Sequence, residues 1–259
     1  RGYHLRAVQT ITRDLVVAVG DQGMILKSTN GGSTWSVQTT WTMRNLNGVW
    51  FLSANTGVVV GDVGTFLRTS DGGTTWLPLA SGTTHPLYSV AFVNSTTGTI
   101  VGDEGTILRT TDGGYNWVTQ YGGPASTLTS VSFLDASIGT IVGSEGIILR
   151  TTNGGAKWNR QYSGTDYPLY GASFLDASTG TAVGEYGAIL RTTDGGLNWT
   201  PQSSGTQNKL RAVSFSDTAT GTIVGDNGIV LRTTDGGETW TVQPSGTLGW
   251  LTSVSFTDA

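Results

Sequence analysis

A fixed 41-residue period, short β-rich runs set between Gly and Asp turns, and a composition poor in helix formers together predict an all-β fold of the β-propeller class for this 259-residue chain. Tryptophan closes six aligned segments, at Trp35, Trp76, Trp117, Trp158, Trp199 and Trp240, each 41 residues after the last with no insertion. Strand-filled repeats of about 40–45 residues are the spacing of propeller blades. Glycine supplies 39 residues and charged side chains only 12%. Gly, Thr and Val make poor helices, so a helical repeat of this length does not fit and helix content should be negligible. The repeat predicts a single propeller domain over 1–259, with blades at about 5–45, 46–86, 87–127, 128–168, 169–209 and 210–250.

Each blade reads as a four-stranded antiparallel meander. In the fifth, Leu169-Tyr-Gly-Ala-Ser-Phe174 is the first strand and 176–180 the turn after it. Residues 181–184 form the second strand, Glu185-Tyr186-Gly187 the next turn, 188–193 the third strand, Asp194-Gly195-Gly196 the last turn and 198–202 the fourth strand. One such sheet cannot bury both faces alone, and radial stacking of its copies does so. Leu251-Thr-Ser-Val-Ser-Phe256 repeats the first strand a seventh time. Residues 251–259 are therefore expected to be an extra innermost strand, in a ring of six or seven blades. An open alternating strand is a template for pairing. The segment is expected to pair with a neighbouring chain, as self-association, or with segments outside this sequence.

The third turn has its own chemistry. Thr110-Thr111-Asp112-Gly113-Gly114-Tyr115-Asn116-Trp117 is one of six copies in register. The Asp or Asn accepts hydrogen bonds from backbone N–H groups of its own turn, Gly supplies positive φ, and Trp packs under the hairpin. The structural set is Asn30 with Trp35, Asp71 with Trp76, Asp112 with Trp117, Asn153 with Trp158, Asp194 with Trp199 and Asp235 with Trp240. This pattern resembles the Asp-box, or bacterial neuraminidase repeat. The whole repeat, Val-Gly-Asp/Glu-x-Gly-x-Ile-Leu-Arg-Thr-Thr-Asp-Gly-Gly-x-x-Trp, is similar across the full chain to the photosystem II assembly and stability factor family of Asp-box propellers. The resemblance implies a non-enzymatic propeller that docks on partner proteins outside the cytoplasm, whether secreted, periplasmic, at the cell surface or in a thylakoid-lumen-like space. The same repeat occurs in many secreted bacterial proteins, so the resemblance carries the fold further than the role.

Composition narrows the chemistry. With 14 basic against 18 acidic residues, net charge −4 and no basic tract, nucleic acid is not an expected partner. There is no cysteine, so disulfides and thiolate chemistry are excluded, and His4 and His85 are too few for a His-rich metal site. No apolar run is long enough for a membrane span. The opening Arg1-Gly2-Tyr3-His4 lacks an initiator Met and an apolar signal core, so the chain reads as a processed or excised product. No calcium-type Asp loop, phosphate loop or Gly-x-Ser-x-Gly elbow is present. No metal, cofactor or catalytic set is expected.

Two polar positions repeat. Third strands carry Lys27, Arg68, Arg109, Arg150, Arg191 and Arg232, expected to lie between blades on an acid or carbonyl rather than to bind an anionic ligand. Second strands end in Asp21, Asp62, Asp103, Glu185 and Asp226, with Ser144 as the exception, and these acids are expected to cap their turns. Specificity should lie where the copies differ. Blade-to-blade loops vary most, and with the second-to-third-strand turns they should emerge at one end, opposite the Asp-boxes. They carry Tyr3, Trp41, Met43, Arg44, His85, Tyr121, Tyr167 and Trp250, several of them suited to an interface hot spot. A second variable position follows the first-strand Leu, and there Arg6, Tyr88, Tyr170 and Arg211 are pocket candidates. The functional expectation is a binding or scaffold propeller that recognises a protein through its loop end. The alternatives are a carbohydrate binder of lectin or sialidase type and a structural subunit of an extracellular assembly.

Overall fold

Valine, isoleucine and threonine between paired glycines leave little choice but short strands, and a computed structural model of the chain, which describes residues 4–120 and 124–256, contains them at every predicted place in the six blades. Among the described residues there are six four-stranded antiparallel sheets, each with its strands in sequence order. This is the β-propeller blade predicted from the repeat. The first strands are Leu5–Thr10, Leu46–Phe51, Leu87–Phe92, Leu128–Phe133, Leu169–Phe174 and Leu210–Phe215. Helix is confined, among the described residues, to three-residue 3-10 turns such as Asp62–Gly64 and Glu185–Gly187, and no helix is long and apolar enough to cross a membrane.

The strands form two compact units, Arg1–Ala125 and Ser126–Ala259, each with three blades. Within each unit, neighbouring first strands pack side by side. The second strand is the most buried element of five blades, and in the fourth the third strand, Ile148–Thr151, is buried along its length as well. Val16–Gly20, Gly57–Gly61 and Gly98–Gly102 in the first unit, and Gly139–Gly143, Gly180–Gly184 and Gly221–Gly225 in the second, are buried along their whole length. A strand covered on both faces needs a continuous apolar run rather than alternation, which explains Val-Val-Val and Thr-Ile-Val at this place. The glycine that opens it has a steric cause. At Gly57 an added Cβ would lie 2.8 Å from the Phe51 ring.

That phenylalanine links the blade to its Asp-box. Phe51, Phe92, Phe133, Phe174 and Phe215 meet Trp76, Trp117, Trp158, Trp199 and Trp240 edge to face, with centroids 5.8–5.9 Å apart. Trp76 is buried at 1% exposure and Trp199 at 7%, as expected for an anchor under the hairpin. Trp35 departs from the expectation, at 43% exposed. Its blade carries Thr10 where the others carry Phe, so no first-strand ring covers the indole.

The seventh copy of the first strand has no sheet to join within the described residues. Leu251 donates its N–H to Gly225 O at 3.0 Å, yet residues 251–256 belong to none of the six sheets, and Phe256 is 39% exposed. In each blade the first strand is held by the second, and the described residues contain no strand to play that part here. Residues 257–259 of the segment lie outside the described residues.

Candidate functional site

Backbone hydrogen bonds sort the loops into two ends. At one, the Asp-box turn donates to the first-to-second-strand turn of its own blade, as in Gly31 N–H to Asp14 O, Gly72 to Asn55 and Gly195 to Ser178. At the other, the second-to-third-strand turn bonds the blade-to-blade loops, as in Asp62 N–H to Asn45 O, Gly64 to His85, Glu185 to Pro168 and Gly228 to Gly249. The sequence-predicted pairing of turns is correct within each unit.

The Asp-box end is internally satisfied. Asp71 Oδ1 accepts from the Thr74 and Thr75 N–H groups and the Thr69 hydroxyl, while Oδ2 accepts from the Thr75 hydroxyl. The Thr75 hydroxyl is the largest of the effects that hold the Asp71 pKa down at about 2. Asp112 is likewise held at about 2, first by the Asn116 N–H. Asn30 makes the same backbone bond without charge, accepting from Thr34 N–H at 2.9 Å. Asp194 and Asp235 occupy the same place in their turns, as does Asn153. These groups are structural, with their acceptor capacity used inside the turn.

The opposite end is built differently. Every first strand slips register at its second residue, with Leu169 opposite Gly184 but Gly171 opposite Val183. A bulge re-aims the extra side chain, and in the first, second, fifth and sixth blades it brings the variable residue to the acid 15 positions later. Arg6 Nε lies 2.7 Å from Asp21 Oδ1, and Asn47 Nδ2 lies 2.9 Å from Asp62 Oδ1. The Tyr170 hydroxyl donates to Glu185 Oε2 at 2.5 Å, and Arg211 is bound to Asp226 through both carboxylate oxygens. The expectation that these acids cap their own turns is therefore corrected. Their carboxylates take donors from the first strand, while the turn closes through backbone bonds such as Met24 N–H to Asp21 O.

Cations at this end sit on aromatic rings. Lys209 Nζ lies 4.8 Å from the centroid of Tyr170 and 3.0 Å from Glu185 Oε2, and the Arg211 guanidinium lies 5.0 Å from the Trp250 ring. Burial, then the hydrogen bond to Glu185, pushes the Tyr170 pKa up. Burial and the neighbouring Asp103 and Asp62 do the same to Tyr88.

A cleft of about 510 Å³ opens in the second unit between the 163–165 loop, the 203–207 loop and the Glu185–Gly187 turn. Ile189, Leu190 and Trp199 are among its lining, with Tyr167, Tyr186 and Glu185. The Tyr167 and Tyr186 rings meet edge to face with centroids 5.1 Å apart, and they are 54% and 57% exposed. Its size is that of a small-ligand or side-chain pocket, about 300–1,000 Å³.

Of the residues named from sequence, Trp41, Met43, Arg44, Tyr167 and Trp250 are exposed in loops. Arg6 is exposed but ion-paired, and Tyr88, Tyr170 and Arg211 are half-buried. His85 is also half-buried, with Nδ1 enclosed. Tyr3 and Tyr121 lie outside the described residues. Third-strand bases bridge to the next blade of their unit: Lys27 to Thr74 Oγ1, Arg68 to Gly113 O and the Tyr115 ring, Arg150 to Ala177 O, and Arg191 to Glu238. Tyr186 stands outside the residues expected from sequence, and the signal for it is the spread of its register: Gln22, Val63, Glu104, Glu145, Tyr186 and Asn227.

The family described as Photosynthesis system II assembly factor YCF48 matches residues 73–169 and 161–246. No curated protein matches the sequence. Among solved structures, YCF48 bound to a D1 peptide is 21% identical with a TM-score of 0.77, over 93% of this chain and 80% of that one. YCF48 from Cyanidioschyzon merolae is 20% identical with a TM-score of 0.76, over 95% and 87%. A GH74 enzyme from Niastella koreensis is 13% identical with a TM-score of 0.72, and the match spans 97% of this chain but 60% of the enzyme. At these identities the structural likeness concerns the fold.

Proposed function

This chain belongs to the photosystem II assembly factor YCF48 family, and from that premise we propose that it is a non-enzymatic assembly-factor propeller that binds a segment of a partner protein through the loop end of its blades, in an extracytoplasmic compartment. The observation that carries the reading is the contrast between the two ends. The Asp-box turns consume their carboxylates internally and, although Tyr115 and Leu197 are exposed there, Tyr115 is covered by Arg68, whereas the loop ends expose Trp41 at 82% and Met43 at 77% in the first unit and Trp250 at 60% in the second. Large exposed apolar side chains of this kind anchor protein interfaces. A related propeller, YCF48, has been solved with a D1 peptide bound, which supports a peptide segment as the ligand here.

Lys27, Arg68, Arg150 and Arg191 are engaged between blades, and a convergent arginine set for glycoside chemistry is not among these contacts. The test is titration with the D1 peptide. Saturable binding is expected, weakened by Trp41→Ala and by Trp250→Ala with thermal stability unchanged. Affinity kept by both variants but lost on substitution at the Asp-box end would show that the wrong end was chosen. Absence of binding, or hydrolysis of sialosides or other glycosides, would overturn the reading itself.

A further inference from the structure

The cleft beside Tyr167 and Tyr186 has a lining that specifies its occupant. Its floor is apolar, with Leu190 at 4% and Trp199 at 7% exposure, which pack in one hydrophobic cluster. Its walls are Ser, Thr, Gly and Gln from the two loops, and no Lys, Arg or His lines it. The one charged residue in the lining is Glu185. Among the described residues, its side-chain partners, the Tyr170 hydroxyl and Lys209 Nζ, both use Oε2, which leaves Oε1 open to a further donor.

Elsewhere the protein covers aromatic rings with its own cations: Arg68 on Tyr115, Lys209 on Tyr170 and Arg211 on Trp250. Among the described residues, no cation stacks on Tyr167 or Tyr186. Tyr186 is moreover held at φ 52°, a left-handed conformation unfavourable to a bulky residue, which presents its ring at the tip of the turn. Two exposed rings, an available carboxylate oxygen and an apolar floor fit a side chain with a methylene stem and a cationic head. They do not fit an anion, because the lining offers no positive charge.

We infer that this cleft is a subsite for an arginine or lysine side chain of the partner segment, its stem on Leu190 and Trp199 and its head between the tyrosine rings and Glu185. The inference rests on the protein-binding reading and adds the residue class that the segment must carry.

The experiment is an amide-shift NMR titration with the blocked pentapeptide acetyl-Gly-Gly-Arg-Gly-Gly-amide and with its neutral citrulline counterpart. The arginine peptide should shift the amides of residues 185–188 and 203–207 saturably, and citrulline should bind about tenfold more weakly. Glu185→Gln and Tyr186→Asn should each remove the difference between the two peptides, Asn being a residue that tolerates the positive φ. Thermal unfolding of both variants checks that the fold is retained. No saturable shift, or equal binding of the two peptides, would overturn the subsite, as would a sugar oligomer shifting these amides when the arginine peptide does not. Loss of the arginine effect while D1 peptide binding still depends on Trp41 or Trp250 would sink this subsite and leave the protein-binding reading intact.

Discussion

At Val63 the backbone φ is 56°, a region that costs a β-branched residue roughly 1–2 kcal/mol. The side chain is 49% exposed, so it contributes little packing in return. Asn227 holds the same register at φ 55° and donates to Asn208 Oδ1. Val63→Asn should therefore stabilise the protein by about 1 kcal/mol, read as a higher denaturant midpoint with unchanged slope. A lower midpoint would mean that the valine makes contacts which outweigh its strain. The neighbouring Gly64 is a different case. A Cβ there would fall 1.9 Å from Thr83 O, so Gly64→Ala should destabilise by displacing the loop that follows the blade.

The Asp-box hairpin is the element on which blade stability rests, and its tryptophans are not equivalent. Trp117 lies edge to face with both Phe66 and Phe92, at 5.5 and 5.8 Å. Trp117→Ala should cost about 3–5 kcal/mol. Trp35 is 43% exposed, and Trp35→Ala should cost only about 1–2 kcal/mol. Chemical denaturation of the two variants compares them directly, and equal losses would contradict the role given to the first-strand phenylalanine. Loops behave oppositely. Tyr167→Ala is expected to leave the melting temperature nearly unchanged while weakening partner binding, because the ring is 54% exposed.

Across the whole molecule, turn carboxylates share one electrostatic habit. Asp71 and Asp112 are held at about 2, and Asp135, Asp176, Asp194, Asp217 and Asp235 are also lowered, all by hydrogen bonds from their own turns. A carboxylate whose folded pKa is depressed stabilises the fold above its unfolded value, near 4, and that contribution is lost as pH falls through the folded value. Stability should therefore decline between about pH 4 and pH 2. The combined variant Asp71→Asn, Asp112→Asn and Asp235→Asn should flatten this decline, since Asn30 and Asn153 already make the backbone bond without titrating. An unchanged acid slope would show that the turns do not control acid stability.

The repeat alone determined the blades, the place of each strand, the Asp-box chemistry and the sorting of loops to two ends. It could do so because turns and meanders are local: glycine, aspartate and threonine act within a few residues, and a 41-residue register repeats each solution. The exposed loop residues Trp41, Met43 and Trp250 were legible for the same reason, as departures from the consensus. Tertiary structure decided what depends on pairs distant in sequence. A bulge of one residue turned Arg6, Tyr170 and Arg211 toward acids 15 positions away, so carboxylates that read as turn caps became ion-pair and hydrogen-bond partners. Contact with the first-strand phenylalanine of the same blade decided how each tryptophan is covered, and Thr10 left Trp35 open. Only folding brought Tyr167 and the 203–207 loop beside the Glu185–Gly187 turn around one cleft, because no local pattern joins these three segments.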